Sequence, residues 1–87
     1  MPLVSGGENG YRDMFRVGFG MTEGLKIVPV WVSDEALQDR EPSVTDGVLA
    51  IFDRNRLEIE QIASDKYDTG RIEPDGSVLV TSADLNG

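Results

Sequence analysis

The longest periodic segment of the chain carries apolar side chains at helical spacing. At about 100° per residue one helix face collects Val48, Phe52, Ile59, Ile62 and Ala63, flanked by Leu49 and Ile51. Ser43 or Thr45 can cap the start, and Gly70 can adopt the left-handed conformation that ends a helix. The pattern predicts one amphipathic helix that runs to about Thr69, with a break near Gly47 as the alternative. Such a helix needs a second layer to cover its apolar face.

Two segments rich in β-branched and aromatic residues precede this helix and predict strands. The segment "YRDMFRVGF" spans 11–19, and "LKIVPVWV" spans 25–32, with "GMTEG" between them. Because a five-residue loop is common in β-hairpins, we expect antiparallel pairing in which facing residue numbers sum to 44. In this register the face toward the helix consists of Phe15, Val17, Phe19, Leu25, Ile27 and Trp31.

The opposite face of the predicted hairpin is the predicted interaction face. It combines basic and apolar side chains, namely Arg12, Met14, Arg16, Lys26, Val28 and Val30, with Val32 beside them. One long helix cannot cover both faces of a sheet. Either the short helix and the tail cover this face, or it binds a protein partner, a second copy of the chain or a small anion. A shift of the register by one residue would exchange the two faces.

Shorter elements complete the predicted order. Ser33 can cap a short helix over "DEALQD", which ends before Pro42. The "PDG" at 74–76 suits a tight turn that joins a strand at 71–73 to another at 77–81. The resulting order is β-β-α-α-β-β. It predicts an α+β fold in which one long helix packs on one face of a mostly antiparallel sheet.

The first residues have a different composition from the rest. Because "MPLVSGGENG" has no periodicity and little apolar surface, we predict a flexible N-terminal tail over 1–10 and a single domain over 11–87. This stretch lacks the basic and apolar segments of a secretory signal. No run approaches the roughly 18 apolar residues of a membrane span, so we expect a cytoplasmic protein that does not contact membranes.

Charge and residue types narrow the function. With 16 acidic and 8 basic residues the net charge is -8, which disfavours nucleic acid and anionic membranes as partners. The chain has no Cys and no His, so thiolate chemistry and the commonest metal ligand are missing, and we expect no cofactor. A carboxylate enzyme site at Glu73, Asp75 and Asp84 is the weaker alternative, since turn and cap roles explain these residues. We therefore expect a non-enzymatic interaction module, with a small-molecule or anion sensor that uses Arg12, Arg16 and Lys26 as the alternative.

Two polar residues interrupt the apolar face of the long helix. Asn55 and Lys66 lie near the middle of that face. A buried Asn must satisfy its amide, so we expect it to bond a loop carbonyl or to lie where the helix overhangs solvent. A ligand-binding role is the alternative.

The C-terminal half resembles a known family. The run "AIFDRNRLEIEQIASDKYDTGRIEPDGSVLVTSADL", preceded by "VSDEAL", is similar to the small bacterial domain-of-unknown-function family 1488. The similarity covers about residues 25–85, and its most specific part is the ending "DGSVLVTSADL". The resemblance implies a compact cytoplasmic α+β domain. It implies no activity, cofactor or catalytic residue.

Overall fold

A five-stranded sheet with three helices forms the fold in this computed structural model, which describes residues 3–6, 10–43, 45 and 47–87. In chain order the elements are β1 (Val4–Ser5), β2 (Tyr11–Asp13), β3 (Arg16–Glu23), β4 (Lys26–Ser33), α1 (Asp34–Arg40), α2 (Val48–Asp68), β5 (Val78–Val80) and α3 (Ser82–Asn86). The buried side chains of the helices and of one sheet face join a single hydrophobic cluster. The predicted α+β class, with a mostly antiparallel sheet and one long helix, is confirmed.

The strand order places β3 and β4 in the centre of the sheet. β1 and β2 both pair antiparallel with β3 and follow one another along the same edge of that strand. β4 pairs antiparallel with the other edge of β3. β5 pairs parallel with β4, after a connection that contains α1 and α2. A parallel neighbour requires a long crossover of this kind, whereas β3 and β4 need only a tight turn.

The turn between β3 and β4 corrects the predicted register. Glu23 faces Lys26 across a two-residue loop, and the facing residue numbers sum to 49 along the hairpin. Gly24 occupies the first loop position with a φ of 61°, which suits glycine in such hairpin turns. The predicted five-residue loop and its register are therefore wrong. Because the register differs by an odd number of residues, β4 turns its other face toward the helices.

The core follows from this register. The inward side chains of the central strands are Val17, Phe19 and Met21 on β3 and Val28, Val30 and Val32 on β4. Val28 and Val30, which were predicted on the interaction face, are therefore core residues, and Val30 is 0% exposed. Conversely, Phe15, Leu25 and Ile27 were predicted in the core and are exposed. All three valines of β4 lie on one face because successive strand residues point to opposite sides.

The helices begin and end at residues with clear local reasons. Ser33 caps α1, since its hydroxyl accepts a hydrogen bond from the Ala36 N–H, and this prediction is confirmed. α2 begins at Val48 after Gly47, which has a φ of 95°. The predicted start at Ser43 or Thr45 is therefore wrong, and the alternative, a break near Gly47, is confirmed.

The end of α2 was predicted more closely. Gly70 adopts a φ of 76° directly after the last helical turn. The N–H groups of Gly70 and Arg71 donate to the carbonyls of Tyr67 and Lys66. These two bonds form a Schellman motif, which satisfies carbonyls that the helix leaves without partners.

The C-terminal segment differs from the predicted second hairpin. The segment 71–73 is not a strand, although 74–76 does form a tight turn, closed by a bond from the Gly76 N–H to the Glu73 carbonyl. β5 uses its ladder to pair with β4 instead. The ending "SADL" forms α3, because Thr81 and Asp84 make a capping box at its start.

The stretch predicted as a flexible tail contributes to the fold. Leu3 is 6% exposed within the core, and Val4 and Ser5 pair with Thr22 and Met21 of β3. The prediction of a tail is therefore wrong for 3–5, where one side chain is buried and two residues pair with the open edge of β3. Residues 1, 2 and 7–9 lie outside the described residues.

Candidate functional site

One face of the sheet has none of the described helices packed on it. Because side chains alternate along a strand, the residues opposite to the core side chains share this surface, which we call the outer face. Its residues on β2 to β5 are Tyr11, Asp13, Arg16, Gly18, Gly20, Thr22, Ile27, Pro29, Trp31, Ser33 and Leu79. Ile27 and Pro29 are exposed, and Ile27 keeps 68% of its accessible surface. An apolar sheet face open to solvent is the most unusual feature of the described surface.

Trp31 forms the centre of the outer face. Its ring lies over Gly18, and a Cβ atom added at that glycine would meet the Trp31 Cζ3 at 2.5 Å. The ring of Tyr11 contacts it edge-on, with centroids 5.8 Å apart, and the Arg16 Cζ lies 3.7 Å from a Trp31 ring centroid. The glycine thus makes room for a large side chain on a neighbouring strand. Trp31 is fixed before any partner binds, so little side-chain entropy remains to be lost.

A hollow of about 330 Å³ lies beside Trp31. Its lining consists of Arg16, Trp31, Glu73, Pro74, Asp75, Ser77 and Leu79. Asp75 accepts hydrogen bonds from the Ser77 hydroxyl at 2.6 Å and from the Ser77 N–H at 3.0 Å. These bonds, with a smaller contribution from the charge of Arg16, lower the pKa of Asp75 below its usual value. Asp75 therefore stays ionised and holds its own turn, in agreement with the turn role predicted for it.

The structure does not bring the predicted interaction residues to one surface. Val28 and Val30 are in the core, as described above. The Arg12 Nη2 lies 2.7 Å from the Asp34 Oδ2, and Lys26 lies at the β3–β4 turn opposite Glu23. Of the six predicted residues, only Arg16 belongs to the outer face.

Met14 and Arg16 lie near the other end of the hairpin. Met14 occupies the β2–β3 turn with a φ of 57°, which is uncommon for a residue other than glycine, and its side chain is exposed. The Arg16 Nη2 lies 3.6 Å from the Asp13 Oδ2. Arg16 has an acidic neighbour, and its guanidinium group stacks on the Trp31 ring. Its main role on the outer face is therefore to pack against Trp31 and not to present a free positive charge.

The sequence contains a residue pattern that indicates the outer face, but the incorrectly predicted hairpin register hid it. Gly18 and Gly20 alternate along β3 and leave the middle of one of its faces without side chains. Pro29, opposite Gly20, and Trp31 alternate in the same way along β4. A strand with large side chains beside a strand with glycines indicates close packing of one on the other. With the two-residue turn at 24–25, these residues could have been placed together.

Asp84 and Lys66 have structural roles. The Lys66 Nζ donates to the Leu79 carbonyl and to the Asp84 Oδ2, each at 2.7 Å. Asp84 also accepts from the N–H and hydroxyl of Thr81. Although partial burial acts to raise it, the bonds from Lys66 and Thr81 lower the pKa of Asp84. Lys66 thus links α2, β5 and α3.

Asn55 has a similar role at the other end of α2. Its Nδ2 donates to the Glu41 Oε2 at 2.6 Å and to the Ile51 carbonyl at 2.8 Å. The amide is therefore satisfied by the end of α1 and by its own helix. Within the described ranges, no group of three or more acidic side chains is arranged to hold a metal ion. No described helix is long and apolar enough to cross a membrane.

The fold and the outer face together define a small two-layer α+β domain whose sheet is covered by helices on one side. The chain belongs to DUF1488, a family of proteins of unknown function whose model matches residues 12–80. It is similar to the crystal structure, at 1.60 Å resolution, of a DUF1488 protein of unknown function from Shewanella loihica PV-4, with a TM-score of 0.80 and 14% identity over 91% of each chain. No curated protein matches the chain. The family resemblance seen in the sequence is thereby confirmed.

Proposed function

We propose that this protein is a non-enzymatic interaction module that binds a partner protein through the outer face. The observation that carries the proposal is Trp31, held between Gly18, Tyr11 and Arg16 on a sheet face without a helical layer. Trp, Tyr and Arg are the residue types that most often dominate binding energy at protein interfaces. In this proposal the domain acts in the cytoplasm and needs no cofactor.

The size of the outer face indicates a small interface. Strands β2 to β5 contain 22 residues, and at about 4.8 Å between strands and about 3.3 Å per residue they cover roughly 350 Å². The protruding side chains add to this projected area. A standard interface buries about 800 Å² on each partner, so the outer face alone forms a small interface, in the size range of transient complexes.

Charge favours a different protein over a second copy. Each chain carries a net charge of -8, so two copies repel one another, and salt screens this repulsion. The outer face itself contributes two charged side chains of opposite sign, Arg16 and Asp13, and Glu73 and Asp75 line the adjoining hollow. We therefore expect a mostly apolar contact whose affinity changes little with salt. Self-association that strengthens with salt would identify a second copy as the partner.

An anion sensor built on Arg12, Arg16 and Lys26 has weaker support. Seven residue pairs separate the register positions of Arg16 and Lys26 on the hairpin, which corresponds to about 23 Å at 3.3 Å per residue. Arg12 is paired with Asp34. A small anion cannot contact all three side chains at once.

The test compares matched variants of the full chain. The double substitution Tyr11→Glu and Ile27→Asp places charge on the outer face at two exposed positions, and Leu49→Asp places one at an exposed position on α2. Tagged chains are cross-linked in their native cytoplasm, and bound proteins are identified by mass spectrometry. Sedimentation velocity of the pure chain measures self-association.

We expect a stoichiometric partner with wild type and with Leu49→Asp, and its loss in the outer-face variant. Circular dichroism checks that each variant is folded. A partner retained equally by both variants would place the binding site elsewhere. If no partner is recovered and the pure chain is monomeric, the proposed function is wrong.

A further inference from the structure

A second feature, separate from the outer face, is the groove that holds the first strand. Residues 3–5, which we call the strap, lie between the edge of β3 and the helix α2. Leu3 and Ser5 of the strap line a hollow of about 270 Å³, together with Met21 from β3 and with Leu57, Glu60, Gln61 and Ser64 from α2. The strap completes the sheet edge and buries Leu3 at the same time.

The groove recognises the strap through two polar groups on α2. The Leu3 N–H donates to the Ser64 Oγ at 3.1 Å, and the Ser5 hydroxyl donates to the Glu60 Oε2 at 2.8 Å. Both Glu60 and Ser64 are buried, and they lie one helical turn apart. The Glu60 Oε2 also accepts a bond from the Arg56 Nε at 3.0 Å, which fixes the carboxylate, so α2 carries a built pair of acceptors for an extended segment. An apolar helix face would have sufficed to bury Leu3 alone.

The geometry also defines the sequence that fits. Leu3 and Ser5 point to the same side because they are two residues apart in a strand. Val4 points away from α2 and is exposed. The groove therefore selects an aliphatic side chain and, two residues later, a hydroxyl group. The side chain between them points away from α2 and does not affect selection.

The strap is held by few contacts. It forms two residue pairs with β3, at Val4 with Thr22 and at Ser5 with Met21. The strap also lies outside the part of the chain that the family model matches, residues 12–80. Each ordered residue loses backbone entropy, which opposes docking of a segment this short. Another extended segment with the same pattern can therefore compete for the groove.

We propose that this groove is a strand-addition site for an extended peptide of a partner protein that carries an aliphatic residue followed, two positions later, by Ser or Thr. The strap occupies the site as an intramolecular competitor. Main-chain bonds to the edge of β3 supply affinity, and the pocket for the aliphatic side chain with Glu60 and Ser64 supplies specificity, as in other strand-addition complexes. The proposal does not rest on the outer face.

The first experiment locks the strap in the full chain. Val4→Cys with Thr22→Cys places two cysteines opposite one another, within the range of a disulfide, and the natural sequence has no other Cys. The probe is a fluorescent peptide with the sequence "MPLVSGGENG", measured by anisotropy against the oxidised and the reduced chain. We expect at least tenfold weaker binding to the oxidised chain.

The second experiment releases the strap. Leu3→Asp in the full chain should bind the same peptide at least tenfold more tightly than wild type, since the competitor is weakened. A control peptide with Asp in place of the leucine should not bind. Equal binding to the locked and reduced chains, or no binding to either chain at millimolar peptide, would overturn the proposal. If Leu3→Asp proves unfolded by circular dichroism, the comparison of locked and reduced chains decides.

Discussion

Gly18→Ala is the most direct test of how the outer face is built. A Cβ at this position would lie 2.5 Å from the Trp31 Cζ3 and 2.8 Å from its Cε3. Real Cβ atoms do not approach ring atoms so closely, so the indole ring must move off Gly18. The movement breaks the edge contact with Tyr11 and the stacking of Arg16. The core side chains on the opposite face of the sheet are untouched.

The expected magnitude follows from these contacts. An aromatic pair contributes about 0.5–1.5 kcal/mol beyond its buried area, and an exposed cation–π contact about 0.5–1 kcal/mol. Replacing glycine by alanine stabilises by about 0.4–1 kcal/mol, because the unfolded chain loses conformational freedom. The net loss of unfolding free energy is therefore about 1 kcal/mol. For a domain of this size that lowers Tm by about 4–8 °C.

The assay uses the single tryptophan of the chain. Urea unfolding followed by circular dichroism gives the free energy of unfolding, and Trp31 emission at zero denaturant reports its surroundings. We expect Gly18→Ala to lower stability and to shift the emission of the folded protein to longer wavelength. In a Trp31→Leu background the same substitution should cost little, because the clash is removed.

An unchanged emission spectrum together with unchanged or higher stability would refute the packing of Trp31 over Gly18. A loss of equal size in the Trp31→Leu background would also refute it, since the cost would then come from the strand backbone. Either result would remove the preformed anchor on which the proposed function depends.

Two further predictions test the register and the link at Lys66. Val30→Asp should destabilise the fold by more than about 4 kcal/mol, because it buries an unpaired charge. Ile27→Asp on the other face of β4 should cost less than about 0.5 kcal/mol. Urea unfolding of both variants measures these losses, and the reverse order of stability would contradict the register. Asp84→Asn should cost about 2 kcal/mol at neutral pH, because the charged bonds to Lys66 and Thr81 are weakened. The lowered pKa of Asp84 means that its contribution is full above the unfolded pKa of about 3.9 and is lost as the pH falls through the lower native value. Stability curves of wild type and Asp84→Asn should therefore converge in strong acid, and a constant difference down to the lowest pH would contradict this role.

The elements that depend on local chemistry could be predicted from the sequence. The cap at Ser33 and the end of α2 at Gly70 follow from hydrogen bonds between near neighbours in the chain. The start of α2 was harder to predict, because Ser43 and Thr45 are good caps by residue type. The positive φ of Gly47, which places the helix start after both residues, is seen only in the structure. The partner of β5 could not be predicted. A Pro-Asp-Gly turn favours a hairpin, and the parallel pairing with β4 depends on where two helices place the chain.

The strap and the link at Lys66 show a different limit. In the sequence Leu3 is one apolar residue among glycines, and its burial depends on Ser64 and on the edge of β3, which are distant along the chain. Lys66 interrupts the apolar face of the helix because it bonds the carbonyl of Leu79 and the carboxylate of Asp84. The fold alone brings these partners to Lys66. Long-range partners of this kind leave no periodic signal.

The error in the hairpin register has a physical cause that bears on function. β4 is apolar on both sides, with valines on one face and Ile27, Pro29 and Trp31 on the other. Hydrophobic alternation therefore does not determine which face of β4 is buried. The turn at Gly24 determines it, because the turn sets the register of the hairpin. Strands with two apolar faces are typical of sheets that are covered on both sides. Because none of the described helices packs on the outer face, the fold of one chain accounts for the valines of β4 but not for Trp31, Pro29 and Ile27, and a bound partner would supply the missing layer.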